Sequence, residues 1–463
     1  MEQADRPTKK IIKMSEELII NEINENKEEY ISFLQDLIRA ESYNPPGNEL
    51  NVAKVIKEYL SKENIHVEIF EFNKNRANLI ARLNENTKDK ILLYNGHMDV
   101  VPPGNETDWK YDPLSGEIKR KKLIFGRGTA DMKGGLAAMA ISLKILKKLG
   151  INLSGNLILN AVADEETGGK LGSKWSVENA LNDIKPDFVV VGEPTGLKPL
   201  PKAIILGEKG HLLVKVIAHG RSCHSSMPSL GKNAIYMVNE FMSDLNKIEK
   251  FIPKINPPLN EEQLKDLMST AFPNKSIFEK ILSEQPLLQN LLKSLTEFTC
   301  SVTMISGGIK ENVIPDNCEI IVDFRLLPDQ EINQIIKGMV NYIEEILKYP
   351  VKLNPDEKLE GEFFEIKIIN AIEGSYWHEW RESSVLKTFY DIVKEIYNKN
   401  PFYMIFPAAA DANYFRNTNF CPNTILFGPG NASTAHAVNE SIEIIDYINA
   451  IKVYTLFAYR FLK

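Results

Sequence analysis

Cysteine is scarce in this chain: Cys223, Cys300, Cys318 and Cys421 are the only four in 463 residues, and no two form a CxxC pair. That scatter excludes a thiolate zinc site and a disulfide framework, and it fits a reducing compartment. Long basic runs are missing and the formal net charge is −7, which argues against a nucleic-acid partner. No window approaches the ~18 uninterrupted apolar residues of a membrane span. Residues 1–13 are polar and lack the apolar core of a signal peptide. These absences predict a cytoplasmic protein with no membrane partner. No internal repeat or low-complexity tract is evident, and the glycine-rich loop at 125–135 lacks the Walker spacing of a phosphate cradle.

What the sequence has instead is a recurring pattern. Four apolar stretches, at 91–97, 156–163, 187–192 and 424–427, each run into side chains able to bind a metal: His97 and Asp99, Glu165 and Glu166, Glu193, and His436. Continuous apolar runs are the mark of buried parallel strands, and ligands of open α/β sheets gather beyond the strands' carboxyl ends. A mixed imidazole and carboxylate set suits zinc or a similar divalent ion.

Length predicts two domains. Strand and helix patterns alternate as far as Glu193, as in a parallel sheet with helices on both faces. After Gly210 the order becomes strand (211–218), helix (233–245), strands (299–305 and 319–325), helix (329–347) and strand (365–369), a ferredoxin-like βαββαβ unit. The first pattern resumes from Ser383. The expected boundaries are a catalytic domain over 1–209 and 374–463, with an inserted lid over 210–373. Residues 251–297, with Leu287, Leu288, Leu291 and Leu295, read as a helical insertion belonging to the lid.

Each motif has a plainer reading beside the chemical one. In Gly96-His97-Met98-Asp99, residues two apart in an extended segment point the same way. Asp99 can then reach the free nitrogen of His97 and fix its tautomer; the alternative is a turn histidine with an Asp cap. Asp131 opens a helix, where Asp is also a favoured cap. Asp164-Glu165-Glu166 is either a solvated acidic turn or a set of anions held together by cations. Adjacent glutamates can divide labour, one ligating a metal and one managing a proton.

Five motifs taken together resemble the M20 metallopeptidases, and most closely the acetylornithine deacetylase and succinyl-diaminopimelate desuccinylase branch. They are Gly-His97-Met-Asp99-Val-Val-Pro, Gly-Arg-Gly-Thr-Ala-Asp131-Met-Lys-Gly-Gly, Asp-Glu165-Glu166-Thr-Gly-Gly, Gly-Glu193-Pro-Thr, and Gly-Pro-Gly followed after five residues by His436 and then by Asn-Glu. The resemblance runs from about Phe33 to the last residues. It implies an α/β zinc-peptidase-like catalytic domain with a central mixed, mainly parallel sheet and a ferredoxin-like α+β lid. It further implies two zinc ions, with cobalt or manganese as substitutes, bridged by Asp131. His97 and Glu193 would complete one site, and Glu166 and His436 the other. Asp99 would orient His97, and Glu165 would be the general base.

In the lid, the resemblance makes His224 an oxyanion donor, often to the site of a second subunit, with a surface histidine in a strand-to-helix turn as the alternative, and sets Asn312 and Arg325 on the substrate carboxylate. Arg325 has the alternative of a local ion pair with Asp323. Gly430 is a further expected substrate contact. One departure lies at Pro407-Ala-Ala-Ala-Asp411-Ala-Asn413, where many relatives carry a Gly-Gly-Thr-type stretch. The implied activity is hydrolysis of an N-acyl amino acid, with a dipeptidase or carboxypeptidase on the same scaffold as the alternative. An inactive metal-binding homologue ranks behind both. A homodimer through the lid is expected.

Overall fold

The computed structural model describes residues 5–84 and 89–463. The reading of residues 1–13 falls partly outside them, and the Leu287 side chain lies outside the described residues. The larger sheet has nine strands. Its centre is four parallel strands in the order Asn156–Val162, Ile91–His97, Phe188–Val191 and Thr424–Leu426. All their residues are buried except the partly exposed Ile91, as the continuous apolar runs predict. Arg76–Leu83 and His66–Asn73 extend the sheet antiparallel on one side. Ala203–Glu208, with Phe402–Phe406 and Ser375–Tyr376 beside it, extends it on the other. Because the central strands are parallel, their following residues emerge at one rim.

Helices Lys133–Lys148 and Ile444–Leu462 pack against each other and against this sheet. The first is buried along its length from Lys133 to Leu146, as expected of a helix with small or apolar residues on every side. A Cβ on Gly135 would lie 2.0 Å from the Gly192 carbonyl oxygen, so only glycine lets the helix meet the exit of the Phe188–Val191 strand.

The smaller sheet has the strand order Thr299–Gly307, Asn317–Leu326, Gly210–His219, Phe363–Ile372, Val351–Lys352. The first four are antiparallel, and the last is a short parallel edge strand not anticipated from the sequence. Helices Ala234–Ser243 and Ile332–Tyr342 supply the remaining elements of the ferredoxin-like unit. Along Asn317–Leu326, Cys318, Ile320, Val322, Phe324 and Leu326 face the core, and Asp323 and Arg325 fall on the opposite face.

The segment 251–297 is helical as expected, with helices Glu261–Ser269, Lys275–Glu284 and Pro286–Thr296. Asn260 and Gln263 form a reciprocal cap at the first, Asn274 caps the second, and Pro286 opens the third. Its assignment to the lid needs correcting. Leu264, Met268, Phe278, Leu282, Leu288, Leu292 and Leu295 belong to the core of the larger sheet, and the first helix packs on the Phe402–Phe406 strand. An amphipathic pattern fixes which face is buried but not the surface that buries it. Lys209 ties the third helix down, its Nζ donating to the carbonyls of Ser294 at 2.7 Å and Glu297 at 2.6 Å.

Candidate active site

The rim of the four parallel strands gathers His97, Asp131, Glu193, Glu166 and His436. Asp131 stands between the two histidines: His97 Nε2 is 3.1 Å from Oδ1, and His436 Nε2 is 3.1 Å from Oδ2. Glu193 Oε1 lies 3.7 Å from His97 Nε2, and Glu166 Oε2 lies 3.1 Å from His436 Nε2. Ligand atoms of His97, Asp131 and Glu166 all fall within 4.8 Å of one another. Oε1 of Glu166 and Oε1 of Glu193 are buried with no hydrogen-bond partner among the described residues. Buried carboxylate oxygens left unpaired are costly unless a cation meets them, so the donor set fits a divalent metal.

The electrostatics agree. Burial is the largest cause of the raised carboxyl pKa at Glu165, Glu166 and Glu193, and neighbouring carboxylates add to it while His97 opposes it. Burial also works against ionisation of Asp131, but hydrogen bonds from His436 and His97 hold it below the ordinary carboxylate range. Its hydrogen bonds to Asp131 and then to Glu166 lift His436 to about 10. Three carboxyls crowded against one another form a cluster that a cation would relieve.

Asp99 meets His97 through its backbone rather than through its carboxylate. His97 Nδ1 sits 2.9 Å from the Asp99 backbone carbonyl and 3.7 Å from its carboxylate, so the carbonyl sets the tautomer that leaves Nε2 for the cluster. The carboxylate instead accepts the backbone N–H groups of Glu165 at 3.3 Å and Glu166 at 3.2 Å, and Asn44 Nδ2 at 2.9 Å. It organises the acidic turn, in which Asp164 takes the left-handed conformation with φ at 69°.

Two supporting groups were not legible from the sequence. Glu440 is fully buried and receives the backbone N–H groups of Gly128, Ala130 and Asp131 at 3.1, 2.8 and 3.0 Å, and Arg127 Nη1 at 2.8 Å. It lies in the fifth motif, yet nothing local signals that it holds a loop some three hundred positions earlier. Asp411 Oδ2 accepts from Asn95 Nδ2 at 3.1 Å, and Asn95 Oδ1 accepts from Asn160 at 2.8 Å and Ser173 at 3.2 Å. Burial pushes Asp411 up to about 6.

The lid residues are less uniformly gathered. Arg325 lines a cleft together with Glu165, Glu166, His211, Asn370 and His436. It also makes the anticipated ion pair, with Nε and Nη2 on Asp323 at 2.9 and 3.1 Å. His224 is exposed on the short strand Cys223–His224, bonded to Ser226 Oγ at 2.8 Å, and lines neither cavity at the cluster. Asn312 lies next to it in space, its carbonyl accepting the Ser225 N–H at 3.0 Å. Gly430 has φ at 98°; its N–H goes to Asp446 at 2.9 Å and its carbonyl receives Gly196 at 3.0 Å. It therefore stands as a turn glycine facing a neighbouring cleft rather than the cluster.

A partly exposed aspartate between two histidines, with glutamates beside it on an open α/β rim, fits a metal-dependent hydrolase of amide bonds. The sequence model of peptidase family M20/M25/M40 matches residues 93–460, and the chain belongs to that family. A protein of Staphylococcus aureus named "Probable succinyl-diaminopimelate desuccinylase" is 29% identical over 95% of this chain and 98% of its own length. Among solved structures, an M20 family metallo-carboxypeptidase of Sulfolobus solfataricus superposes with a TM-score of 0.75 at 24% identity, covering 93% of this chain and 98% of that one. A dinuclear metal-binding M20 peptidase of Bacillus subtilis gives 0.63 at 14% identity, covering 95% and 99%. Among the described residues no helix is long and apolar enough to cross a membrane.

Proposed function

We propose that the chain is a dinuclear zinc amidohydrolase that cleaves N-acyl amino acids into a carboxylate and a free amine. The observation that carries this reading is the position of Asp131, whose two carboxylate oxygens each face a different histidine at 3.1 Å. His97, Asp131 and Glu193 would hold one ion, and Asp131, Glu166 and His436 the other. Bound zinc, or cobalt or manganese in its place, polarises the amide carbonyl and acidifies water. The remaining work falls to the protein. Glu165 ligates nothing in this scheme and lines both cavities at the cluster, so its carboxylate is free to take the proton of the attacking water and pass it to the leaving nitrogen. Asp99 holds the Glu165 backbone in place for that transfer. Arg325 keeps Nη1 for a substrate carboxylate, since Asp323 occupies its other edge.

A dipeptidase or carboxypeptidase is the second reading, favoured by the activity named for the Sulfolobus protein. A dipeptide and an N-acyl amino acid share the scissile amide and terminal carboxylate. Zinc-loaded protein offered matched panels of N-acyl amino acids and free dipeptides decides between them: turnover confined to dipeptides removes the deacylase reading, and turnover of neither removes both.

Residues 210–373 would act as the lid of a catalytic body made of 1–209 and 374–463, now with the 251–297 helices counted on the body's side. The separate core of the smaller sheet supports this division. Pairing of two copies through the lid is supported by the exposed apolar side chains Met304 and Ile305 on the edge strand Thr299–Gly307 and Tyr236 on the adjacent helix. Such a dimer would give the outlying His224 a route to the partner's site.

A further inference from the structure

Two cavities of opposite chemistry meet at Glu165, Glu166 and His436. One, of about 210 Å³, holds His211, Arg325 and Asn370. The other, of about 390 Å³, also touches Asp131 and Glu193, and is further lined by Leu197, Ile205, Leu291, Met404 and Phe406 together with Thr195 and Ser433. Neither lysine nor arginine is among the described residues lining it. Leu291 comes from the inserted helix Pro286–Thr296. Leu288 and Leu295, one turn to either side, are buried in the core, while Leu291 remains partly exposed at the cavity. The hold of Lys209 on Ser294 and Glu297 fixes the end of that helix.

We infer that the larger cavity takes an uncharged apolar group on the acyl side of the scissile amide, and that Leu291 is a specificity-determining residue. The inference rests on the amidohydrolase reading for the identity of the bond, and on the cavity alone for the class of group beside it. A carboxylate-bearing acyl group would carry its charge into a cavity whose lining, beyond the residues of the cluster itself, offers no lysine or arginine and only the hydroxyls of Thr195 and Ser433 as polar side chains. Burying a charge without a partner is strongly disfavoured. A branched or straight aliphatic group of similar size meets mainly apolar contacts there. The substrate class is thus an N-acyl amino acid, or a dipeptide, whose acyl half is aliphatic or aromatic and whose other half presents a carboxylate to Arg325.

The test uses a shape-matched pair: one amino acid acylated with 4-methylpentanoyl, whose end branches like a carboxylate but is uncharged, or with succinyl. Zinc-loaded full-length protein is expected to favour the 4-methylpentanoyl substrate in kcat/KM by at least about 10-fold, the discrimination a hydrophobic pocket commonly achieves. Calorimetric binding of the same two compounds to Glu165→Gln protein is expected to show the same preference without turnover. Leu291→Lys should lower the apolar-to-acidic ratio at least about 10-fold. If that variant does not fold, Leu291→Ala, which enlarges the cavity, should move the preference toward longer acyl chains. Equal or tighter binding of the succinyl compound by Glu165→Gln protein overturns the inference. Hydrolysis of neither compound with the binding preference intact removes the proposed activity and leaves the cavity's selectivity standing.

Discussion

Glu440 receives the backbone N–H of Asp131 at 3.0 Å through the same oxygen that takes the Ala130 N–H at 2.8 Å. Its other oxygen takes Arg127 and Gly128. One buried carboxylate therefore sets the position of the residue that stands between the two histidines. Removing it in Glu440→Ala strands Arg127 in the interior, at a cost of about 3–5 kcal/mol for breaking a buried pair. Urea unfolding should register that loss, and the metal content after dialysis against limiting zinc should fall about 10–100-fold in affinity, as for a removed outer-shell partner.

Glu165→Ala should separate proton transfer from metal binding. Turnover is expected to drop at least ~100-fold, the low end for losing a general base. Metal content measured by elemental analysis should stay near that of the unaltered protein, because Glu165 is outside the proposed ligand set. Unchanged turnover would remove Glu165 from its role, and lost metal would make it a ligand.

Metal removal should be visible in stability as well as in activity. With Glu165, Glu166 and Glu193 crowded and buried, the cation-free protein holds mutually repelling carboxyls. Chelator-treated protein is expected to melt lower, and zinc added at 100 times its Kd should contribute about 2.7 kcal/mol by mass action. A melting temperature indifferent to zinc would contradict the cluster's assignment as a metal site.

Lys209 gives a pH signature. Burial, with Arg325 nearby, depresses its ammonium to about 8, against an ordinary value near 10.5. Between those values the unfolded chain holds a proton that the folded chain has released, so rising pH favours folding. The stability difference between the unaltered protein and Lys209→Met should therefore grow in favour of the unaltered protein from pH 8 to 9.5, with a limiting slope of about 1.4 kcal/mol per pH unit. Chemical denaturation at several pH values measures it, and parallel curves would show that Lys209 titrates normally.

Gly135→Ala tests the packing behind the site. The added Cβ would meet the Gly192 carbonyl at 2.0 Å, a clash with backbone that cannot swing aside. Destabilisation of at least about 1–3 kcal/mol is expected, as for an overpacked interior. A lowered denaturation midpoint with near-normal zinc content at low temperature is the anticipated pattern.

The chemistry-bearing strand ends were legible because each buried parallel strand writes itself as an apolar run, with a candidate ligand on it or in the loop that follows. His97, Glu166, Glu193 and His436 were singled out that way, and the structure brings them together around Asp131. The true partner of His97 Nδ1 was not legible, since it is a backbone carbonyl and every residue has one. Glu440, Asn95 and Asp411 act across hundreds of positions, and no local pattern encodes such a contact. The helices of 251–297 show the same limit at the level of packing: Leu288, Leu292 and Leu295 announce a buried face, while the core that receives it is a property of the whole chain.

The short strand Thr424–Leu426 sits inside the larger sheet, between Phe188–Val191 and Ala203–Glu208. A growing polypeptide that has emerged only as far as the smaller sheet thus carries an open slot where its central ladder should continue, with backbone donors and acceptors on either side unsatisfied. Closure waits for residues 424–426, made long after the strands on either side of them, and His436 follows soon after. The cluster that would hold a metal cannot precede the completed sheet, so during biogenesis the acidic rim stays incomplete until His436 has been made.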